Sequence, residues 1–371
     1  MSDDAAHMAA ALALARRGLG RTWPNPSVGC VIARDGWVLA RGRTADGGRP
    51  HAEASALAAA REAGSGDALR GATAYVTLEP CSHHGHTPPC ANALVEAGVT
   101  RVVVATGDPD SRVAGRGLAR LRAAGIDVLE GVGRAEADEI NAGFFMRVRA
   151  GRPLIALKTA TSLDGRIATA TGDSKWITGP AARAEGHLLR ATHDAIMVGI
   201  GTVRADDPEL TCRLPGLGDR SPIRVILDSR ARLRVDSKLA LDARGTPVWL
   251  LCGEGVSNRR ITTLSRAGVD VRLVPVGTDG RVDIATACRD LGEAGLTRVL
   301  VEGGGKLAAS LLAAGLVDRI VAFRGGVVIG GDGLPSVASM RIAELGSAPR
   351  FERVSSRVVG DDTLETWARR A

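Results

Sequence analysis

Short runs of β-branched and apolar residues take turns with helix-length segments along most of this chain, and that alternation is the pattern of a layered α/β sheet. The first half reads as a helix from residue 3 to about 18, a strand over 28–33, a hairpin turn at Asp35-Gly36 and its partner strand over 37–40. A helix over 52–63, a strand over 73–78, a helix over 91–97, a strand over 101–105, a helix over 117–124 and a short strand over 127–129 follow. The periodicity lapses over 141–151, and Gly151-Arg152-Pro153 punctuates it before a new strand over 154–158. The domain boundary is expected there, giving domains over 1–150 and 151–371, and 371 residues suit two cores better than one. The second half alternates again, with strands expected over 195–199, 224–227, 247–251, 269–274, 298–301 and 320–323.

Charge narrows the partners. Lys and Arg number 48 against 41 Asp and Glu, a net charge of +7 spread without blocks of one sign, which suits a phosphorylated small substrate better than a nucleic-acid groove. Aromatics at 3% leave few platforms for stacking bases. No run approaches the ~18 apolar residues of a membrane span. The acidic start Met1-Ser2-Asp3-Asp4 is the reverse of a secretory signal, so the expected location is cytoplasmic. Only four of the basic residues are lysines, Lys158, Lys175, Lys238 and Lys306, so lysine here marks positions where a compact mobile ammonium matters.

Four of the seven histidines, His51, His83, His84 and His86, share one stretch with Cys81 and Cys90. Six cysteines in a chain of this size are no disulfide framework, so thiols near histidines read first as metal or catalytic groups. His51-Ala52-Glu53 sits where a loop meets a helix, Glu79-Pro80-Cys81 where a strand runs out, and Cys90 opens the next helix. One imidazole and two thiolates are good zinc ligands, and three protein ligands leave a fourth position for water, the catalytic arrangement. Glu53, two residues from a ligand, is then set to move a proton between that water and a leaving amine, the role of the non-ligand glutamate in H-x-E with P-C signatures. The reaction implied is hydrolytic deamination of a heterocycle. The alternative is a structural zinc closed by His83, His84 or His86.

In the second half, Lys158 stands on a strand that breaks at Asp164-Gly165. Arg298-Val-Leu-Val-Glu302-Gly303-Gly304-Gly305-Lys306 runs from a strand through three glycines into a helix over 307–314, which makes an anion site because free N–H groups point outward and no Cβ blocks a ligand.

These motifs resemble a family. Pro24-Asn25-Pro26-Ser27-Val28-Gly29-Cys30-Val31, His51-Ala52-Glu53 and Glu79-Pro80-Cys81-Ser82-His83-His84-Gly85-His86-Thr87-Pro88-Pro89-Cys90 are similar to the deaminase half of the bifunctional riboflavin-biosynthesis deaminase/reductases, including the long cysteine spacing. The resemblance implies a cytidine-deaminase-like three-layer α/β/α domain, zinc on His51, Cys81 and Cys90, Glu53 as proton shuttle, and Asn25 contacting the pyrimidine or its sugar. The substrate implied is 2,5-diamino-6-(5-phosphoribosylamino)pyrimidin-4-one, which loses its 2-amino group. Thr44 stands where the family often has histidine and His86 where it usually has a basic residue, both expected near substrate.

The blocks of the second half resemble the reductase half of the same enzymes, whose fold is similar to dihydrofolate reductase and whose cofactor is NADPH. The resemblance gives Ala160, Trp176, Thr202, Asp206, Ser229, Gly304, Gly305, Lys306 and Leu307 as NADPH contacts. It gives Ser174, Arg190, Leu210, Arg213 and Glu302 as substrate contacts, with Lys158 and Glu302 holding the opened ribose. Hydride delivery to C1 of the ribosyl group would yield a ribityl chain, with Lys158 or Asp206 as general acid. The resemblance runs from about residue 3 to 330 and thins beyond, and a homodimer is common in such a family. The rival readings are a deaminase acting on tRNA, which the cysteine spacing opposes, and a non-catalytic zinc module.

Overall fold

The computed structural model describes residues 3–82 and 88–370. They form two compact units, Met1–Gly151 and Arg152–Ala371. The first unit contains α1 (Asp3–Arg16), β1 (Gly29–Arg34), β2 (Trp37–Arg43), α2 (Ala52–Glu62), β3 (Thr73–Val76), α3 (Cys90–Glu96), β4 (Arg101–Val104), α4 (Arg116–Ala123), β5 (Asp127–Glu130) and α5 (Arg134–Ala150). Its sheet has the order β2-β1-β3-β4-β5, antiparallel across β2-β1-β3 and parallel across β3-β4-β5. Asp35 and Gly36 both take positive φ, 51° and 79°, the primed turn that a two-residue hairpin needs.

Side-chain alternation along the strands divides this unit into three layers. Val31, Ala33, Tyr75 and Val103 point to α1 and the start of α5, while Cys30, Ile32, Ala74, Val76, Val102 and Val104 point to α2, α3 and α4. The stretch over 141–151, read as a lapse of periodicity, is helical instead. Phe144 and Phe145 are both buried while Arg147 and Arg149 flank them, which blurs the amphipathic signal, and Gly151 caps the helix at φ 68°.

The second unit contains β6 (Leu154–Thr161), β7 (Arg166–Ala168), α6 (Pro180–Ala191), β8 (Ala195–Gly199), α7 (Ile200–Asp206), β9 (Ile223–Leu227), α8 (Lys238–Leu241), β10 (Val248–Gly253), α9 (Asn258–Arg266), β11 (Asp270–Val274), α10 (Ile284–Glu293), β12 (Arg298–Val301), α11 (Gly305–Ala313), β13 (Arg319–Arg324), β14 (Leu334–Pro335), β15 (Phe351–Val359) and β16 (Asp362–Arg369). Nine strands pair in the order β11-β10-β9-β8-β12-β6-β13-β16-β15; those from β11 to β13 are parallel, and the β15–β16 hairpin closes one edge antiparallel. The sequence pattern does not mark this hairpin, because β15 is exposed along most of its length. Among the described residues no helix is long and apolar enough to cross a membrane.

This sheet has a carboxyl-end rim. In open parallel sheets ligands bind at that rim, beyond the last residues of the strands. Lys158 and Ala160 lie late in β6, Glu302 follows β12, Ser229 follows β9 and Thr202 lies in the helix after β8.

Candidate active sites

In the first unit, His51 is the N-cap of α2, Glu53 lies in its first turn, and Cys90 is the first residue of α3 behind Pro89. A Cβ on Gly42 would lie 2.3 Å from the Ala52 carbonyl oxygen, so only glycine lets the start of α2 rest on β2 this closely. That contact brings His51 to the cysteines. His51 Nδ1 lies 3.7 Å from Cys81 Sγ and 3.5 Å from Cys90 Sγ, and the three donor atoms are within 4.8 Å of one another. Zinc held tetrahedrally, with Zn–S of ~2.3 Å and Zn–N of ~2.0–2.1 Å, sets S···N edges of about 3.6 Å, so the donor set fits the ion in chemistry and in size. The Cys90 amide donates to Cys81 Sγ at 3.3 Å. Hydrogen bonding from Cys90 draws the Cys81 thiol down to about 4, while the same contact pushes the Cys90 thiol up. Metal binding requires thiolates, so a bound cation would displace the thiol protons.

Glu53 is buried at 4% exposure, and burial, followed by the charge of Cys81, pushes its carboxyl up to about 7. Asn25 Nδ2 donates to the Gly48 carbonyl at 2.8 Å, in the turn that leads to His51. Thr44 is buried and its hydroxyl accepts from the Val28 amide at 3.0 Å, so its side chain is engaged in joining β2 to the start of β1 rather than free to meet a substrate. His86, with His83 and His84, lies outside the described residues. Glu79, quoted above only as part of a motif, is also buried, and its carboxylate accepts backbone amides from the segment that opens α4. The strand before it is shorter than expected and stops at Val76.

In the second unit, the register explains the central cluster. Leu157 of β6 pairs with Val301 of β12, so the next residues, Lys158 and Glu302, emerge side by side. Lys158 Nζ lies 3.7 Å from Glu302 Oε2. Arg190, in the last turn of α6, grips the same carboxylate with two bonds, Nε to Oε1 at 2.8 Å and Nη2 to Oε2 at 2.9 Å, and donates from Nη1 to the Thr211 carbonyl at 3.0 Å. Burial raises the pKa of Glu302, but the charges of Lys158 and Arg190 outweigh it and hold the carboxyl down at about 2.

Helix α11 starts at Gly305, two residues earlier than expected, with Gly304 as N-cap. The amides are less open than the motif promised: Gly304 N donates to Thr202 Oγ1 at 3.2 Å, and Leu307 N closes onto the Gly304 carbonyl at 3.0 Å. Gly305 and Lys306 remain as first-turn positions, which have no acceptor within their own helix. Ser229 Oγ accepts from Val282 N at 2.9 Å and keeps a proton to donate. These amides, hydroxyls and one ammonium fit a phosphorylated dinucleotide. Of the other expected contacts, Arg213 lies beside this cluster, its Nη1 3.4 Å from the hydroxyl of Thr211, whose carbonyl Arg190 holds. Trp176 is 70% exposed with the Arg183 guanidinium 4.5 Å above its ring, and Ser174 is exposed. Asp206 ends α7 exposed, and Arg213 pairs with Glu209 at 3.0 Å. Leu210 packs into the core with Ile196 and Val203, so its side chain contacts the interior. Asp362, in the β15–β16 hairpin, is buried and accepts from Gly179 N, the N-cap of α6, at 2.7 Å.

Residues 1–106 match the cytidine and deoxycytidylate deaminase zinc-binding region, and residues 153–364 match the RibD C-terminal domain. The riboflavin biosynthesis protein RibD of Escherichia coli (strain K12) is 42% identical over 97% of this chain and 98% of its own. A solved structure of Acinetobacter baumannii RibD superposes with a TM-score of 0.86 at 36% identity, covering 100% of this chain and 99% of that one. The Thermotoga maritima structure described as a diaminohydroxyphosphoribosylaminopyrimidine deaminase/5-amino-6-(5-phosphoribosylamino)uracil reductase superposes equally, at 0.86 and 35% identity over 99% of each chain. The relatives extend the likeness past residue 330 through the C-terminal hairpin. A zinc-type donor set in one unit, a charged rim in the other and these full-length matches agree, and the chain belongs to the RibD family, the bifunctional deaminase/reductases of riboflavin biosynthesis.

Proposed function

We propose that residues 1–150 deaminate 2,5-diamino-6-(5-phosphoribosylamino)pyrimidin-4-one and that residues 151–371 reduce the resulting uracil's ribosyl group to a ribityl chain. The single observation that carries the first step is the agreement of the His51–Cys81 and His51–Cys90 separations with a tetrahedral zinc, beside a buried Glu53. Zinc, when bound, supplies a Lewis acid with one open position, which lowers the pKa of water. Glu53 accepts the proton of the attacking water on a carboxylate oxygen and returns it to the departing amine, so the ring gains oxygen and ammonia leaves. Asn25 orients the pyrimidine or its sugar, and His86 donates to the phosphate.

In the second step NADPH, when bound, would supply a hydride for C1 of the ring-opened ribose, and the residues of this chain supply position and a proton. Thr202, Ser229, Ala160, Trp176, Asp206 and Gly304 to Leu307 would hold the cofactor; Ser174, Arg190, Arg213, Glu302 and the backbone at Leu210 would hold the substrate. Lys158 is better placed than Asp206 to give the proton, because its side chain is only 21% exposed and lies beside Glu302 whereas Asp206 stands in solvent at the end of α7. We further infer a cytoplasmic homodimer without a nucleic-acid partner. The dimer is supported by β15, an edge strand exposed over most of its length with Val354 and Val358 outward, and the lack of a nucleic-acid partner by a charge of +7 spread without blocks of one sign; sedimentation and salt-dependent RNA binding test these two.

The deciding experiment is an assay of the purified chain with the diaminopyrimidine, with and without NADPH, alongside metal analysis. Wild type should release ammonia without NADPH and consume NADPH afterwards. Glu53→Gln should keep its zinc and lose deamination by roughly 10²- to 10⁴-fold while still reducing supplied aminouracil. Loss of both activities together would refute separate sites.

A further inference from the structure

Two residues before Cys81 the chain buries a carboxylate that this chemistry does not use. Glu79 is 4% exposed, and its two oxygens accept four backbone N–H groups: Oε2 from Gly115 at 3.0 Å and Asp108 at 3.4 Å, Oε1 from Gly117 at 2.9 Å and Leu118 at 3.4 Å. Gly115 is the N-cap of α4, and Gly117 and Leu118 lie in its first turn. The carboxylate therefore sits where helix amides lack internal partners and the helix end is partly positive.

The same corner is fastened in three further ways. The Glu79 amide donates to the Thr106 carbonyl at 2.9 Å, and Ser82 Oγ, just past Cys81, donates to the Arg112 carbonyl at 3.4 Å. A Cβ on Gly117 would lie 1.9 Å from the Pro80 carbonyl oxygen, so the first turn of α4 rests directly on the backbone that precedes Cys81. Residues 79–82 are thus tied on both sides of the ligand to a segment, 106–118, that offers none of the three donors. A serine or aspartate at its own N-cap would have capped α4 locally. Gly115 has no side chain to do so, and the cap comes instead from the strand exit that carries Cys81.

We infer that Glu79 is a positioning residue for the metal: by holding the amides of α4 it keeps Cys81 Sγ at ligand distance from His51 and Cys90, and so sets how slowly the ion leaves. This rests on reading those three residues as the ligand set.

Glu79→Gln keeps the size and replaces one acceptor oxygen by an NH₂ that faces backbone donors; Glu79→Asp keeps the charge on a shorter arm. The zinc-loaded full chain is mixed with a chromogenic chelator and release is followed by absorbance, with cobalt-substituted samples read at the thiolate-to-metal charge-transfer band. Glu79→Gln should release zinc about ten- to a hundredfold faster and alter the cobalt band, with Glu79→Asp between it and wild type and NADPH oxidation by the second unit unchanged. Wild-type release and an unaltered band in folded Glu79→Gln overturn the inference.

If that variant does not fold, the wild type decides, because coupling is reciprocal. Stripping the metal must speed hydrogen exchange at Gly115, Gly117 and Leu118, and equal protection with and without zinc overturns the inference. Zinc content tests the ligand set separately. A wild type without one zinc per chain, or a Cys90→Ser variant that keeps it, sinks the ligand assignment and this inference with it. Normal content with wild-type release from Glu79→Gln sinks the inference alone.

Discussion

Replacing Glu302 by Gln, and separately Lys158 by Met, divides what stabilises the second unit from what its chemistry uses. The Glu302 side chain is 10% exposed and faces Arg190 in two short bonds and Lys158 at 3.7 Å. Its carboxyl is held at about 2 against an ordinary 4.5 because the two cations outweigh burial. At about 1.4 kcal/mol per unit that difference is worth about 3 kcal/mol of folding free energy. The folded value is the depressed one, so the contribution is complete above pH ~4.5 and is lost as pH falls through ~2. Gln removes the same charge at neutral pH, turns one acceptor into a donor facing Arg190, and leaves a guanidinium that is 15% exposed without a counter-charge. Breaking a buried pair this way costs about 3–5 kcal/mol. The two routes overlap, and Glu302→Gln should lower the stability of the second unit by about 3–4 kcal/mol.

Lys158 is a different case. At 3.7 Å its attraction to Glu302 is about 4–5 kcal/mol gross for an effective dielectric near 20, most of it offset by desolvation, and the bidentate Arg190 bond survives its removal. Lys158→Met keeps an unbranched side chain of similar length and loses only the ammonium, which lies 5.7 Å from the Phe323 ring centroid, so its stability cost should be about 1 kcal/mol while reduction falls by orders of magnitude. Urea titration read by hydrogen exchange of peptides from β6 and β12 reports the second unit alone. Ammonia release and NADPH oxidation on the same samples give the two activities. A Lys158→Met chain as destabilised as Glu302→Gln, or one that still reduces its substrate at the wild-type rate, would refute the division of labour.

Three further outcomes follow from single contacts. His193 is buried with Nδ1 bonded to the Leu189 carbonyl at 2.7 Å, and burial pushes it down to about 4 from 6.5. The unfolded chain takes that proton first, so stability should fall by about 3 kcal/mol from pH ~6.5 to ~4, and His193→Asn should flatten that limb; an unchanged slope in urea melts argues against it. Gly42→Ala should cost the first unit about 1–3 kcal/mol and hasten zinc loss, because its Cβ meets the Ala52 carbonyl at 2.3 Å; wild-type melting would contradict this. Asp362→Ala leaves the Gly179 amide without its acceptor, so KM for reduction should rise several-fold with deamination untouched, and equal loss of both activities would count against it.

What the sequence makes legible is whatever residue type encodes. Imidazole, thiol and carboxylate at His51, Glu53, Cys81 and Cys90 announce a metal before any coordinates, and the Asp35-Gly36 turn announces its hairpin. Glu79 announces nothing, because its partners are backbone amides up to 39 positions away and no letter marks an amide. The β15–β16 hairpin hides for a related reason. It lies at the sheet's edge, where β15 is exposed along most of its length, so the buried-exposed alternation that identifies a strand is missing from half of it. Helix α5 hides behind Phe144 and Phe145, both buried, beside arginines on the next turn.

The Lys158–Glu302 pair shows where local reading stops. Each residue is visible as a charge at a strand end, but their meeting depends on β12 returning between β8 and β6 and on Leu157 pairing with Val301. A slip of one residue in that register would carry Lys158 to the opposite face from the carboxylate, because side chains alternate along a strand. Arg190 reaches the same carboxylate only because α6 ends beside it, in a helix whose N-cap amide is held by Asp362 from the far end of the chain. The site is therefore encoded twice, once in residue types that a motif can carry and once in a strand order and register that only the folded sheet supplies.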